Sequence, residues 1–289
     1  MTAVEWERRW ARPVAIAAIA AAFLFLGGVI LQASLVDQKD EATQLMSTHD
    51  HSTALLAGAI LLAVGAALFS APLYYLLRAA KTRNEDIRST MFAFAFIGPI
   101  LLGVRSVLGW IATRDIANTF LAGSNHSADT AKSLIDKSNL ADTATALGLP
   151  AVLGLVVAMI YIPLMAMRVG LISRFWGTLG MALGVGSALL GLVAFVGLAF
   201  WFAYIGFLIG GWLKDDRPPA WDAGKAIPWP PPEPRGGRKD LPGVVEGDGT
   251  EIDVGPDPAL EPGAAEPPAP VDDSAESQGQ RRKARKRRG

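Results

Sequence analysis

The sequence of 289 residues contains no cysteine. This absence excludes a disulfide framework, thiolate metal sites and catalysis by a cysteine nucleophile. The chain also lacks a phosphate-binding loop, a nucleophile elbow, an HExxH helix and a pair of carboxylates inside an apolar run. These absences weigh against an enzyme or a proton-coupled pump, and the sequence predicts no cofactor.

Charge is missing from several long segments, of which 177–213 is the most extended. As a single helix this segment would be about 55 Å long, whereas the hydrocarbon core of a bilayer is about 30 Å thick. We therefore predict two short transmembrane helices here. Gly197 would supply the turn, and Trp201 would lie at the membrane interface near the hairpin tip.

Four other apolar segments have the length of a bilayer crossing. They span 14–34, 53–77, 89–113 and 148–167. The first is longer than the core of a signal peptide, so we expect it to stay uncleaved. The predicted fold is an all-α polytopic membrane helix bundle with six transmembrane helices in residues 14–214, preceded by a flank at 1–13.

The distribution of lysine and arginine predicts the orientation of this bundle. Loops 1–13, 78–88 and 168–176 hold nine basic residues in 33 positions, whereas loops 35–52 and 114–147 hold four in 52. Because basic loops stay on the cytoplasmic side, we expect an inner (plasma) membrane protein with both termini in the cytoplasm.

Residues 215–289 have a different composition, with 14 of the 19 prolines and no apolar run. This composition predicts a disordered cytoplasmic tail, although Trp221 and Trp229 at its start could rest on the membrane surface. Residues 240–280 carry 11 acidic side chains and no basic one, and the final RRKARKRRG carries seven positive charges. The basic terminus could bind anionic lipid or fold back on the acidic tract; nucleic acid is the less favoured partner.

Arg105 is the only charged residue inside a predicted span. A charge at that depth is costly and often marks a binding site or a transport pathway. No span contains an acid to neutralise it, so we expect Arg105 to bind an anionic ligand or a lipid headgroup. The alternative is that its side chain reaches toward the interface, since Arg114 lies only about 13 Å further along the helix.

The three histidines, His49, His51 and His126, fall in loops predicted to be outside. Together with nearby aspartates they could bind a divalent metal ion, which would make a membrane enzyme conceivable. Their spacing matches no specific zinc motif, and a polar helix entry explains His49 and His51 equally well.

Two pairs of glycines have the small-xxx-small spacing that lets helices approach closely. They are Gly180 with Gly184, and Gly206 with Gly210. We favour packing within the chain, and a homo-oligomer is the alternative.

Two segments resemble a known group. YIPLMAMRVGLISRFWGTLG at 161–180 and RPPAWDAGKAIPWP at 217–230 look like parts of uncharacterised actinobacterial multi-pass membrane proteins. This resemblance implies a six-helix membrane protein and carries no catalytic residues.

Two functions remain open at this stage. One is a non-enzymatic scaffold or lipid-interacting protein with a charged tail, and the other is a small transporter or ligand-binding membrane protein that uses Arg105. A polar cavity at Arg105 would favour the second function, and a dry, closed bundle would favour the first.

Overall fold

The computed structural model describes residues 3–37, 39–213 and 217–229, which form helices and short connections without a strand. The helices in these residues are α1 Ala3–Leu35, α2 Glu41–Asp50, α3 Ser52–Leu68, α4 Ser70–Lys81, α5 Met91–Ala122, α6 Ala128–Asp136, α7 Asn139–Arg168, α8 Arg174–Leu189, α9 Leu192–Gly210 and α10 Ala220–Ala223.

Five helical segments are long and apolar enough to cross a membrane, as expected for an integral membrane protein. They are Val4–Leu35, Ser52–Lys81, Met91–Ala122, Asn139–Arg168 and Leu192–Gly210. The segment Ser52–Lys81 comprises α3 and α4. The sixth predicted span corresponds to α8, whose 16 residues give a length of about 24 Å, shorter than the hydrocarbon core.

Neighbouring long helices are antiparallel. Along α1 and α3 the contacts run in opposite chain directions, since Gly58 meets Gln32 whereas Gly65 meets Phe25. In the same way α5 is antiparallel to α3 and α7, α8 to α7, and α9 to both α8 and α1. Because α9 returns to pack on α1, the helices close into a ring.

This alternation brings the connections together at two ends of the bundle. Residues 4–13, 78–90, 168–176, 211–213 and 217–229 lie at one end, which we call the basic end. Helices α2 and α6, together with the α8–α9 turn, lie at the other, which we call the α2–α6 end. The two sets of loops that the sequence analysis separated by charge therefore occupy opposite ends.

The second membrane-length segment is interrupted at Phe69, between α3 and α4. Pro72 explains the interruption, because its ring cannot donate a hydrogen bond and collides with the carbonyl of Leu68. After the break α4 packs against α1, α5, α7 and α9, whereas α3 packs mainly against α1 and α5. Helix α4 thus fills the centre of the bundle at the basic end, with Leu73, Leu76 and Leu77 fully buried.

Helices α8 and α9 form the predicted hairpin, but the predicted turn is wrong. The chain reverses at Gly191, where φ is +52°, a region in which only glycine is free of strain. Gly197 lies inside α9, and Trp201 is fully buried. The Trp201 indole occupies the space beside Gly180 and donates to the carbonyl of Trp176 at 2.8 Å. Because the N–H of this buried indole is already hydrogen-bonded, the side chain gains no hydrogen bond from a position at the membrane interface.

Residues 217–229, which we call the strap, pack across the basic end. The Trp221 indole donates to the carbonyl of Leu171 at 2.9 Å, and the Trp229 indole donates to that of Ile172 at 2.8 Å. Trp221 is 3% exposed. These tryptophans therefore bind the protein rather than the membrane surface, and this part of the predicted tail has a fixed position. The rest of the predicted tail, 230–289, lies outside the described residues.

A buried ion pair joins α1 to the segment after α4. The Arg83 side chain is 0% exposed and that of Glu7 is 5% exposed. Arg83 donates through both terminal nitrogens to the two carboxylate oxygens of Glu7, and it also donates to the carbonyls of Ala79 and Ala220. Because Ala220 belongs to the strap, this arginine connects three parts of the chain.

Candidate functional site

A cleft of about 340 Å³ opens at the α2–α6 end, between α1, α3, α5 and α7 and beneath α2. Its lining combines one charged group with amides, hydroxyls and an indole. The polar lining residues are Gln32, Gln44, Thr48, Arg105, Ser106, Trp110, Thr113 and Thr145. Such a mixture differs from the apolar core elsewhere in the bundle.

Helix α5 supplies most of the polar side of this cleft. Arg105, Gly109 and Thr113 are four residues apart, as are Ser106 and Trp110, so both sets face the same side of the helix. The ring of helices turns this side toward α1, α3 and α7. The polar residues of one helical face therefore meet the last turn of α1 and the start of α7.

Arg105 lies at the wall of the cleft next to α7. The Arg105 guanidinium crosses Gly148, where a Cβ atom would lie 2.9 Å from the Arg105 Nε. Gly148 thus provides the space in which the arginine lies. The Arg105 side chain is exposed, and within the described part of the chain it forms no ion pair with a carboxylate.

Three hydroxyls of the cleft and its indole are already hydrogen-bonded to the backbone. Ser106 donates to the carbonyl of Ala59 at 2.8 Å, and the Trp110 indole donates to that of Ser52 at 3.1 Å. Thr113 donates within α5. These contacts fix the walls and use the protons of the hydroxyls, so that their oxygens remain as acceptors.

The donors left for a ligand are therefore the Arg105 guanidinium, the amides of Gln32 and Gln44, and the Thr145 hydroxyl. Neither amide side chain hydrogen-bonds to another group in residues 3–37, 39–213 and 217–229. A guanidinium and two amides provide several N–H groups around one space. This set suits an anion that has oxygen acceptors.

Helix α2 covers the cleft and is held there from both ends. The Asp40 carboxylate caps α2 by accepting from the Thr43 amide at 2.7 Å, and this hydrogen bond lowers the pKa of Asp40 below its ordinary value. Further along, Leu45 packs with Ile116 and Phe120 of α5 in a second apolar cluster, which also includes the buried Ala131 of α6. The cluster positions Gln44 and Thr48 over Arg105.

The three histidines have separate surroundings. His49 Nδ1 lies 3.1 Å from the Asn118 amide oxygen, and His51 Nδ1 lies 3.0 Å from the Ser47 carbonyl. The His126 ring packs edge-on against Phe120. Across the described ranges, no group of three or more histidine and carboxylate side chains is arranged to hold a metal ion. The structure thus does not bring the suggested metal ligands together.

The four singled-out glycines all lie at helix contacts within the chain. Gly180 faces Trp201 of α9, and Gly184 faces Met159 of α7. Gly206 and Gly210 face α1, where Ala15 approaches both. These contacts correspond to packing within the chain. Only Gly180 mediates the expected packing of the hairpin helices on each other.

The sequence analysis found Arg105 but missed the residues around it. Gln32 and Gln44 carried a weak signal, since they are polar residues near the predicted end of the first span and in the following loop. Nothing in the sequence placed them against α5. The Glu7–Arg83 pair was missed as well, because its members are 76 residues apart.

Comparison with known proteins gave no match to a family model, a curated protein or a solved structure. The resemblance to actinobacterial membrane proteins therefore stays a prediction, and the function must be argued from the cleft itself.

Proposed function

We propose that this protein is a membrane-embedded binding protein for a small anionic solute, which enters the cleft from the α2–α6 end and pairs with Arg105. The observation that carries the proposal is an exposed guanidinium without a counterion in a polar cleft of about 340 Å³. This volume is within the range of small-molecule sites. A polar cavity at Arg105 is the feature that favours ligand binding over a purely scaffolding bundle.

The chemistry of the lining narrows the class of ligand. Arginine pairs with carboxylate and phosphate through two parallel hydrogen bonds. The amides of Gln32 and Gln44 add donors, and the hydroxyl oxygens of Ser106 and Thr113 add acceptors. A compact carboxylate or phosphate that also bears a hydroxyl or amino group would use all of these groups.

The membrane arrangement is part of the proposal. Support for a sixth crossing comes from the register of α8 against α9, in which Gly180 lies beside Trp201 and Gly186 lies beside Ala194. Helix α8 is packed alongside α9 over most of the length of α8. If α9 crosses the bilayer, α8 therefore spans most of the bilayer thickness as well. The concentration of lysine and arginine at the basic end supports a cytoplasmic position for that end in the plasma membrane.

The cleft has no continuation toward the basic end. Leu102 and Leu155 are buried in the core, and α4 fills the centre of the bundle beyond them. Solute transport would therefore require a rearrangement of the helices. A binding protein needs no such step, and transport is the second candidate because breaks such as that at Phe69 are common in transporter helices.

The scaffolding function stays a prediction. It depends on the charged tail at 230–289 and on anionic lipid at the basic terminus, and these residues lie outside the described ranges. A homo-oligomer is likewise a prediction. Neither is needed for ligand binding at Arg105.

Titration calorimetry on the full chain in nanodiscs tests this function, with sodium phosphate, acetate, succinate and uncharged glycerol as probes. We expect at least one anion to bind and glycerol not to bind. Arg105→Gln should weaken anion binding about tenfold or more, because a hydrogen bond to a charged group contributes about 1.5–3 kcal/mol. Arg105→Lys should bind with intermediate affinity, since it keeps the charge and loses the two-pronged geometry.

Lys132→Gln is the matched control, because Lys132 is an exposed cation of α6 that does not line the cleft. It should bind the anions as the unmodified protein does. Equal binding by Arg105→Gln and the unmodified protein would reject the site. For an anion that does bind, proteoliposomes loaded with it distinguish transport from binding. Release of the anion across the membrane would indicate transport, and its retention would indicate binding alone.

A further inference from the structure

A second concavity lies at the basic end, on the outer surface of α4 between α1 and α5. Its apolar part, about 350 Å³, is lined mainly by Trp6, Trp10, Val14, Ala71 and Phe96. An adjoining hollow of about 420 Å³ lies beside Lys81, Thr82 and Phe92. Tyr74 and Arg78 line both parts, so the two hollows adjoin, and together we call them the groove.

The groove opens sideways, toward the space that the bilayer would occupy. Helices α1 and α5 both pack on α4, whereas they make no extensive contact with each other at this level. Trp10 is 47% exposed and Phe96 is 40% exposed. From Arg78 to Ala71 the groove follows two turns of α4, which corresponds to about 10 Å of depth. Its apolar part therefore reaches into the hydrocarbon region while its polar part stays at the interface.

Two cations hold fixed positions at the polar end of the groove. The Arg78 guanidinium lies 4.2 Å from the centre of the Trp6 ring and donates to the Tyr74 hydroxyl at 2.9 Å. Lys81 donates to the Ser89 hydroxyl. Neither cation is paired with a carboxylate among the residues that the structure describes. Most N–H donors of both side chains thus remain available to an anion.

These features specify one kind of occupant. An acyl chain fits an apolar groove that is open to the bilayer, and a phosphate fits two neighbouring cations at its interfacial end. No acid lines the groove. The Trp6 face, which could otherwise hold a choline cation, is already covered by Arg78. The net charge of the site therefore favours a headgroup with a net negative charge.

We propose that the groove is a binding site for one anionic phospholipid, with its phosphate at Arg78 and Lys81 and an acyl chain along Ala71 and Trp10. The site is independent of the Arg105 cleft, because it lies at the other end of the bundle and shares no lining residue with it.

Native mass spectrometry of the detergent-purified full chain tests the proposal, with phosphatidylglycerol and phosphatidylcholine of identical acyl chains as probes. We expect one phosphatidylglycerol per chain to bind at least about fivefold more tightly than phosphatidylcholine, since one interfacial cation contributes about 1 kcal/mol. Arg78→Gln should lower the preference for phosphatidylglycerol about fivefold, because only Lys81 remains at the phosphate, and Arg78→Lys should keep the preference. Ala71→Phe should weaken the binding of both lipids, because the new ring fills the groove.

Two control variants separate the groove from general effects. Arg88→Gln removes an exposed cation from the same end, and Ala57→Phe adds a ring to the exposed face of α3; both should bind lipid as the unmodified protein does. Glycerol phosphate should not displace bound phosphatidylglycerol. Unchanged preference in Arg78→Gln, unchanged affinity in Ala71→Phe, or displacement by glycerol phosphate would each overturn the proposal. If Arg78→Gln loses helicity, Lys81→Gln takes its place and should likewise lower the preference; if Ala71→Phe loses helicity, Ala71→Met takes its place and should weaken the binding of both lipids.

Discussion

Replacing Arg83 with methionine removes the cation that neutralises a carboxylate in the interior of the basic end. The side chains of Arg83 and Glu7 are 0% and 5% exposed, so water cannot substitute for the lost partner. Breaking a buried ion pair from one side costs about 3–5 kcal/mol, because the remaining charge stays desolvated. The variant also loses the hydrogen bonds from Arg83 to Ala220, which attach the strap at about 1 kcal/mol each.

A double-mutant cycle separates the ion pair from the other contacts of these side chains. The double variant Glu7→Leu/Arg83→Met replaces both charges by apolar groups. Such a double replacement often changes the free energy of unfolding very little. We therefore expect the double variant to be more stable than the Arg83→Met single variant, with a coupling energy of about 2–3 kcal/mol. Arg83→Lys should be intermediate, since lysine keeps the charge and cannot form two parallel bonds with the carboxylate.

Reversible unfolding in mixed micelles with increasing dodecyl sulfate gives the required free energies, followed by circular dichroism and tryptophan fluorescence. The reasoning fails if Arg83→Met unfolds at the same dodecyl sulfate fraction as the unmodified protein. It also fails if the two substitutions are additive, because additivity would mean that the charges do not interact across the interface between α1 and the segment after α4.

Three further outcomes are expected. In unfolding titrations the Gly98→Ala variant should have a free energy of unfolding about 1–3 kcal/mol lower than the unmodified protein, because the new Cβ would lie 2.3 Å from a backbone nitrogen of α7. Gly109→Ala, on the same helix in open space, should be neutral or more stable by up to about 1 kcal/mol. The protection of the α2 amides, taken as the observed exchange rate relative to the intrinsic rate at the same pH, should decrease as pH falls through the lowered pKa of Asp40, because protonation weakens its bond to the Thr43 amide; Asp40→Asn should remove this pH dependence of the protection. Trp221→Phe should expose residues 217–229 to added protease, whereas a digestion pattern identical to that of the unmodified protein would contradict the fixed strap.

The length of the apolar segments predicted the long helices from sequence alone. A backbone in hydrocarbon must satisfy its own hydrogen bonds, so a charge-free run of bilayer length has few alternatives to a helix. Three of the four spans predicted outside 177–213 fall within helical segments of the structure, and the remaining one, 89–113, begins two residues before α5. The same reasoning singled out Arg105, since a charge inside such a run is conspicuous.

Positions within an apolar run were much harder to predict. The turn at Gly191 and the burial of Trp201 carry little sequence signal, because both the lipid-facing and the core-facing sides of these helices are apolar. Several glycines occur in 177–213, and the register is selected by contacts between the two helices, such as Gly180 against Trp201 and Gly186 against Ala194. The preference of tryptophan for the membrane interface led to a wrong prediction for Trp201, because a buried indole and an interfacial indole cannot be distinguished in a sequence.

The sequence by itself determined that the chain forms bilayer-length helices, which connections are basic, and that one arginine is out of place in an apolar helix. The tertiary structure alone decided what surrounds that arginine. Gln32 and Gln44 line the same cleft as Arg105 only because α1 and α2 pack beside α5, and Glu7 meets Arg83 across 76 residues of chain. Helix propensity and hydropathy are local properties, whereas a binding cleft depends on which helices become neighbours, and that choice is made by packing between distant segments.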